Sequence, residues 1–220
     1  MYLEKPAATW PPGPEIPSPR PATPPRPGPP QPAPQPILPT WYEPTSISLE
    51  RELADRLLAQ RTILVSGRLD DALASHVTAQ LLLLDAYSND PITLQLTSAE
   101  SELEAALALA AAIDLVGSPV HAVARGTLRG PAIAVLAAAG QREAHRHTMF
   151  VLSLPQFAAE GTADHLATVA DQHERQITRL RDLIANATGR SPDEVMNDLE
   201  PGRVLSADEA KDFGLVTRLV

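Results

Sequence analysis

Proline decides which part of this chain can fold. Of 23 prolines, all but six precede Thr45, and residues 6–44 alternate proline with Ala, Gly, Arg and Gln, as in Pro24-Pro25-Arg26-Pro27-Gly28-Pro29-Pro30. Each proline fixes φ and removes a backbone donor, so neither helix nor sheet propagates through such a run. Residues 1–44 are therefore expected to form a disordered proline-rich tail, extended in part as polyproline II at about 3.1 Å per residue. A solvated arm or processed leader explains such a tail more simply than a docking arm for a proline-recognising partner. The folded domain is expected over 45–220, long enough for one well-buried core.

Within that domain strands and helices alternate. Glu50–Gln60 carries Leu53, Leu57 and Leu58 and reads as a short amphipathic helix, followed by the buried strand Thr62–Val65, which Ser66-Gly67 ends. Asp70–Asp85 has Leu73, Val77, Leu81 and Leu84 at a spacing of three to four, the helical period. Ile92–Leu96 alternates like a strand, Ser101–Leu115 is an Ala/Leu helix, and Val120–Val123 is a third strand. A glycine-punctuated turn, Arg125–Pro131, leads into the helix Ala132–Ala139; Phe150–Leu152 is a fourth strand, stopped by Pro155. The long helix 163–187 aligns Leu166, Val169, Ile177, Leu180 and Ile184 in one stripe. A domain this small is not expected to cover such a helix, so it should project and bury its stripe against another chain. The pattern is that of an α/β fold.

Several functions are excluded or disfavoured. A net charge of −9 opposes nucleic-acid binding, which needs clustered Lys and Arg. The absence of cysteine rules out disulfides, thiolate metal sites and a thiol nucleophile, and fits a cytoplasmic location. The longest apolar stretches, Leu81–Leu84 and Ala132–Ala139, fall far short of the roughly 20 residues of a membrane span, and the N-terminus has prolines where a signal peptide needs an apolar run. His145-Arg146-His147 beside Glu143 has the look of a metal pair, but no third ligand is evident and surface or edge-strand histidines are expected. His165 and His173, two turns apart on the long helix, read as ordinary polar positions, and Ser98 and Ser101 as turn formers. No cofactor or metal is expected.

Ser206-Ala207-Asp208-Glu209-Ala210-Lys211-Asp212-Phe213-Gly214-Leu215-Val216 is similar to the closing segment of the Clp protease proteolytic subunits, Ser-Ala-x-Glu-Ala-x-x-Tyr-Gly-Leu-Ile/Val. Asp70-Asp71 with Ala79-Gln80-Leu81-Leu82 resembles the first-helix signature of that family, and Thr188-Gly189 ends the long helix where the family also has Thr-Gly. The resemblance runs from about Leu53 to Val220. It implies a two-layer ββα-spiral domain of the Clp/crotonase type, with the helix at about 163–187 as the "handle". Such subunits form seven-membered rings; two rings join through their handles into a chamber that an ATPase ring feeds, and the N-terminal segments line the axial pore.

The resemblance also implies a serine peptidase site, and here the residues depart from it. Cleavage of this kind needs a hydroxyl nucleophile, an imidazole to take its proton and a carboxylate to orient the imidazole. The serine position falls on Gly130, or on Leu128 in a register without a gap; no Ser or Cys lies between Ser118 and Ser153, and Thr127 is the one hydroxyl of the turn. The histidine position is Ser153 and the aspartate position Gly202, with Asp198 nearby. The family's Ser-Pro-Gly-Gly oxyanion turn reads Ser98-Ala99-Glu100-Ser101, so Glu100 and Ser101 replace its glycines. Two tyrosines of the family's ATPase-docking cleft match Thr93 and Gln95, and a further apolar position matches Arg125. That weighs against direct ATPase docking, because buried aromatic anchors carry such contacts.

The expectation is a non-catalytic subunit that assembles with an active paralogue, or with itself, and modulates an ATP-dependent Clp complex. Its rivals are a stand-alone ring-forming scaffold that uses the proline-rich tail, and residual serine-peptidase activity through an unrecognised site.

Overall fold

A computed structural model describes residues 46–220 together with Gly13, with side chains from Glu52 onward. The remainder of the proline-rich tail lies outside the described residues. Three strand–helix units open the domain: β1 (Thr62–Ser66) and α2 (Asp71–Tyr87), β2 (Ile92–Ser98) and α3 (Leu103–Leu115), β3 (Val120–Arg129) and α4 (Ala132–Ala138). Helix α1 (Ser46–Ala59) precedes them. Two short strands follow, β4 (Gln141–Ala144) and β5 (Met149–Leu152), then α5 (Ala163–Thr188), α6 (Pro192–Leu199), β6 (Arg203–Ser206), α7 (Ala207–Phe213) and β7 (Arg218–Leu219).

The sheet runs in the order β1-β2-β3-β4-β7, and all of these pairings are parallel; β5 joins β3 in parallel and β6 pairs with β5 antiparallel. Burial alternates along the first three strands, so Ile63, Val65, Ile92, Leu94, Val120 and Ala122 face the core. Thr93, Gln95, His121 and Val123 point to the other, half-exposed face. The core is completed by Val77, Leu81, Leu109, Ile133 and Leu136 from the helices. Alanines at 105, 106, 110 and 112 are buried too and let α3 approach its neighbours closely.

Cap chemistry accounts for several helix limits. Asp70 starts α2 by accepting the Leu73 N–H at 2.9 Å. Ser191–Glu194 and Ser206–Glu209 are full capping boxes on α6 and α7. Gly189 (φ +71°) and Gly214 (φ +89°) end α5 and α7 in the left-handed conformation that costs an L-residue most. A Cβ on Gly214 would also stand 2.8 Å from the Thr188 carbonyl oxygen. Nearby, the half-buried Arg142 donates to the Ala187 carbonyl at 2.8 Å and the Leu215 carbonyl at 3.0 Å, tying the end of α5 to the closing segment. Burial lowers the pKa of this guanidinium, which nevertheless stays charged.

Two expectations change. The segment expected as a turn from Arg125 is strand as far as Arg129. Gly126, at φ +63°, lets β3 kink and exchange its neighbour: residues 121–124 pair with β4 and residues 127–129 with β5. The long helix does not reserve its whole stripe for another chain. Leu180 and Ile184 are fully buried in the domain's own core, whereas Leu166 is 37% exposed. Only the N-terminal part of α5, residues 163–172, stands largely free.

Candidate functional site

The segments that follow β2, β3 and β5 meet around one cleft of about 760 Å³. Ser98, buried at the end of β2, donates its hydroxyl to the Glu100 carbonyl at 2.7 Å and fixes the turn. The turn is stitched to the loop after β1 by Leu69 N–H to Glu100 O and Glu102 N–H to Leu69 O, each 2.9 Å. Across the cleft mouth Arg68 and Glu102 form an exposed ion pair at 2.8 Å, whose hydrogen bond raises the arginine's pKa.

Ser101 reaches furthest. Its hydroxyl donates to the Arg129 carbonyl at 3.0 Å and accepts the Ala132 N–H at 2.9 Å. One side chain thus spans the end of β3 and the first turn of α4, and it occupies a backbone donor beside Gly130. That role exceeds turn formation. It was not legible in the sequence, because it joins residues 31 apart.

Gly130 lies between β3 and α4 at φ +57°, with its N–H on the Val151 carbonyl at 2.9 Å. A Cβ built there would stand 3.5 Å from both the Ser153 carbonyl and its hydroxyl, ordinary contact distances. Leu128 is fully buried in the core. Of the two registers open in the sequence, only Gly130 therefore faces the cleft. The next residue is Pro131, which has no N–H to offer. Where an acyl-transfer site takes an oxyanion donor from the residue after the nucleophile, this backbone supplies none. The sequence carried that signal in plain view.

Ser153 follows β5 and is half-buried. Gly202 (φ +82°) precedes β6, and a Cβ there would lie 3.7 Å from the Leu152 carbonyl. It adjoins the end of β5 but does not line the cleft. Asp198, four residues before Gly202, is engaged by Arg203 at 2.9 Å. Gly130, Ser153 and Gly202 each sit one residue outside a strand. The three are neighbours at the ends of β3, β5 and β6, and none carries an ionisable group.

The far wall brings a residue that the sequence reads as an ordinary polar position on the long helix. His173 of α5 lines the cleft, stacked on Phe157 with ring centroids 4.2 Å apart and planes 18° from parallel. Among the described residues, no hydrogen bond joins it to a serine. His145 and His147 lie on the surface, in the exposed turn after β4 and off the strand itself; their ring centroids are 5.6 Å apart, and Glu143 is bound by Arg218 at 2.6 Å. Among the described residues no group of three or more His, Cys, Asp or Glu is arranged to hold a metal ion, and no helix is long and apolar enough to cross a membrane.

Thr93 and Gln95 share the half-exposed face of β2, beside His121 and Val123 of β3, with exposed Arg125 further along that strand. The face is polar.

The sequence profile of the Clp protease family matches residues 48–220. The ATP-dependent Clp protease proteolytic subunit 3 of Rhodococcus jostii (strain RHA1) is 34% identical over 173 residues, which cover 76% of this chain and 85% of that protein. The parallel-rich sheet, the helices on one of its faces and the long α5 agree with the α/β spiral that such a match implies.

Proposed function

The chain belongs to the Clp protease family, and from that membership we propose that it is a non-catalytic subunit of the proteolytic type. It co-assembles with an active paralogue and modulates an ATP-dependent Clp complex by diluting its active sites and altering its docking surface. One observation carries this reading. The turn that opens α4 offers Gly130 for a nucleophile and Pro131 for an oxyanion donor, so both the attacking atom and the group that would stabilise its product are missing. Ser153 in place of the histidine and Gly202 in place of the aspartate remove the base and its orienter. Losing a single oxyanion donor costs about 10²–10³ in rate, and losing a triad about 10⁶.

The polar side chains of Thr93, Gln95 and Arg125, which leave only Leu64 and Val123 as apolar groups among their neighbours on β1 and β3, support the second half of the proposal. An ATPase loop needing an apolar seat would find it on the paralogue's surface. The folded domain spans 45–220 after the proline-rich segment 1–44, and the assembly works in the cytoplasm. The proposal is tested by co-expression with the organism's active subunits. A mixed complex of defined mass should co-purify, and the chain eluting alone as a monomer under those conditions would overturn it.

A second reading has one observation behind it: His173 brings an imidazole to the cleft that holds Ser101 and Ser153. A fluorophosphonate probe separates the two. No serine should be labelled, and labelling abolished by His173→Ala would restore a peptidase.

A further inference from the structure

Two of the chain's histidines are set together and left without other work. His145 and His147 are exposed in the turn that joins β4 to β5, with ring centroids 5.6 Å apart and planes tilted by 47°. Among the described residues neither ring has a hydrogen-bond partner, whereas His76 meets Gln80 at 3.2 Å and His173 is stacked on Phe157. A neutral imidazole keeps one acceptor nitrogen, so each ring has a free lone pair to offer. The backbone beneath them is tied down. The His145 N–H and the Thr148 hydroxyl both donate to the Ala124 carbonyl, at 2.9 and 3.0 Å. The Thr148 N–H donates to the His145 carbonyl at 2.8 Å, closing the turn, and the Arg146 N–H donates to a Val220 oxygen at 3.3 Å. A ligand that engages both rings therefore has only side-chain rotations to fix and no loop to order.

Two imidazoles bound to one tetrahedral ion, with metal–nitrogen distances of about 2.0–2.1 Å, hold their ring centroids about 5.2 Å apart. The observed separation is reached from there by a small rotation of either side chain. We propose that His145 and His147 chelate one borderline divalent cation per chain, of the class of zinc, with water in the remaining coordination positions. The donor set selects the class: imidazole pairs suit zinc, copper and nickel, whereas magnesium and calcium need oxygen ligands. Glu143, two residues before His145, is held by Arg218 at 2.6 Å and stays with that partner. Once one ring has bound the ion the second ligation is intramolecular, so the pair exceeds either imidazole alone by about 10²-fold. Exposed Arg146 stands between the two in sequence, and water and salt screen its repulsion of the ion. The bound ion braces the link between β4 and β5, the two strands that β3 exchanges at Gly126. The proposal is independent of the loss of catalysis and of co-assembly with a paralogue.

Calorimetric titration of zinc chloride into the full-length chain, stripped with a chelator and kept in a non-coordinating buffer, tests it. One ion should bind per chain. His145→Ala and His147→Ala should each weaken binding about 10²-fold, to the level of the double variant, because either loss ends the chelate. Both side chains are exposed, so folding should be undisturbed, and circular dichroism verifies that. Hydrogen exchange read by mass spectrometry locates the ion: zinc should slow exchange over residues 144–149 in the wild type and not in the double variant. An excess of magnesium chloride should not compete. Binding that the double variant retains would mean an adventitious ion only and would overturn the proposal. So would no measurable binding, single variants that bind like the wild type, one ion shared by two chains, protection confined to another segment, or displacement by magnesium.

Discussion

Arg61 allows a backbone effect and a side-chain effect to be separated at a single position. Its φ is +56°, the one left-handed non-glycine value among the described residues. Its guanidinium donates to the carbonyls of Leu84 at 2.9 Å, Ser88 at 3.1 Å and Asp90 at 2.6 Å, with longer contacts to Pro91 O and Ser118 Oγ. These acceptors include the last turn of α2 and the loop that leads into β2. One residue therefore closes α2, whose own C-terminal cap has no glycine. A hydrogen bond from a charged donor contributes about 1.5–3 kcal/mol. Two of the three short bonds are part-buried, and the one to Asp90 is exposed and replaceable by water. Arg61→Ala should then cost about 3 kcal/mol, or roughly 6–12 °C of melting temperature in a domain of this size. Arg61→Gly loses the same bonds but removes the left-handed penalty of about 1–2 kcal/mol. It should be more stable than Arg61→Ala by about 1 kcal/mol, reversing the usual order of alanine over glycine. Urea titrations followed by far-UV circular dichroism, at one protein concentration, resolve that difference. If glycine proved equal to or worse than alanine, the strain at residue 61 would be refuted; if Arg61→Ala cost under 0.5 kcal/mol, the clamp would be.

Reinstating Gly130→Ser, Ser153→His and Gly202→Asp together should give at most slow ester hydrolysis, and adding Pro131→Ala should raise kcat about 10²-fold by returning an N–H donor; equal rates with and without that fourth change would show that the donor is not limiting. Gly214→Ala meets both a left-handed φ and the Thr188 carbonyl, and should cost roughly 2–3 kcal/mol in the same titrations. Ser101→Ala should cost about 1–2 kcal/mol by leaving the Ala132 N–H unpaired, with faster amide hydrogen exchange confined to the first turn of α4. The Ser206 N–H and hydroxyl hold the Glu209 carboxyl below its ordinary pKa. A depressed folded pKa stabilises above the ordinary glutamate value of about 4.3 and is lost as pH falls through the folded value. Melting temperature should therefore drop on acidification below that point, and Glu209→Gln should flatten part of the drop.

The alternation of strands and helices was legible because burial imposes it. Ile92, Leu94 and Leu96 point one way from β2, and Val77, Leu81 and Leu84 form one face of α2. The closing motif was legible as a resemblance, and the structure supplies its physics: Ser206 and Glu209 are the two ends of a capping box and Gly214 is its left-handed stop. Strands β4, β6 and β7 were not seen, since two to four residues are too few to show a period and their pairing is long-range. The extension of β3 was hidden by Gly126, which reads as a turn but serves as a kink. At the site, the positions Gly130, Ser153 and Gly202 could be picked out along the chain. The Ser101 bridge and the place of His173 could not, because both depend on which segments the fold brings face to face.

Gly130, Ser153 and Gly202 all lie just past the ends of strands, and none of their side chains takes part in a ladder or in the core. On the proposed reading, the side chains that cutting would need are thus mounted on the sheet without helping to hold it together, and only the backbone of Gly130 takes part, through its bond to the Val151 carbonyl. A lineage can discard such chemistry one residue at a time with little loss of foldedness, keeping every contact through which subunits recognise one another. In an assembly of many near-identical parts, that makes silent members cheap to produce and lets composition, not mutation of the working parts, set how much cutting the whole performs.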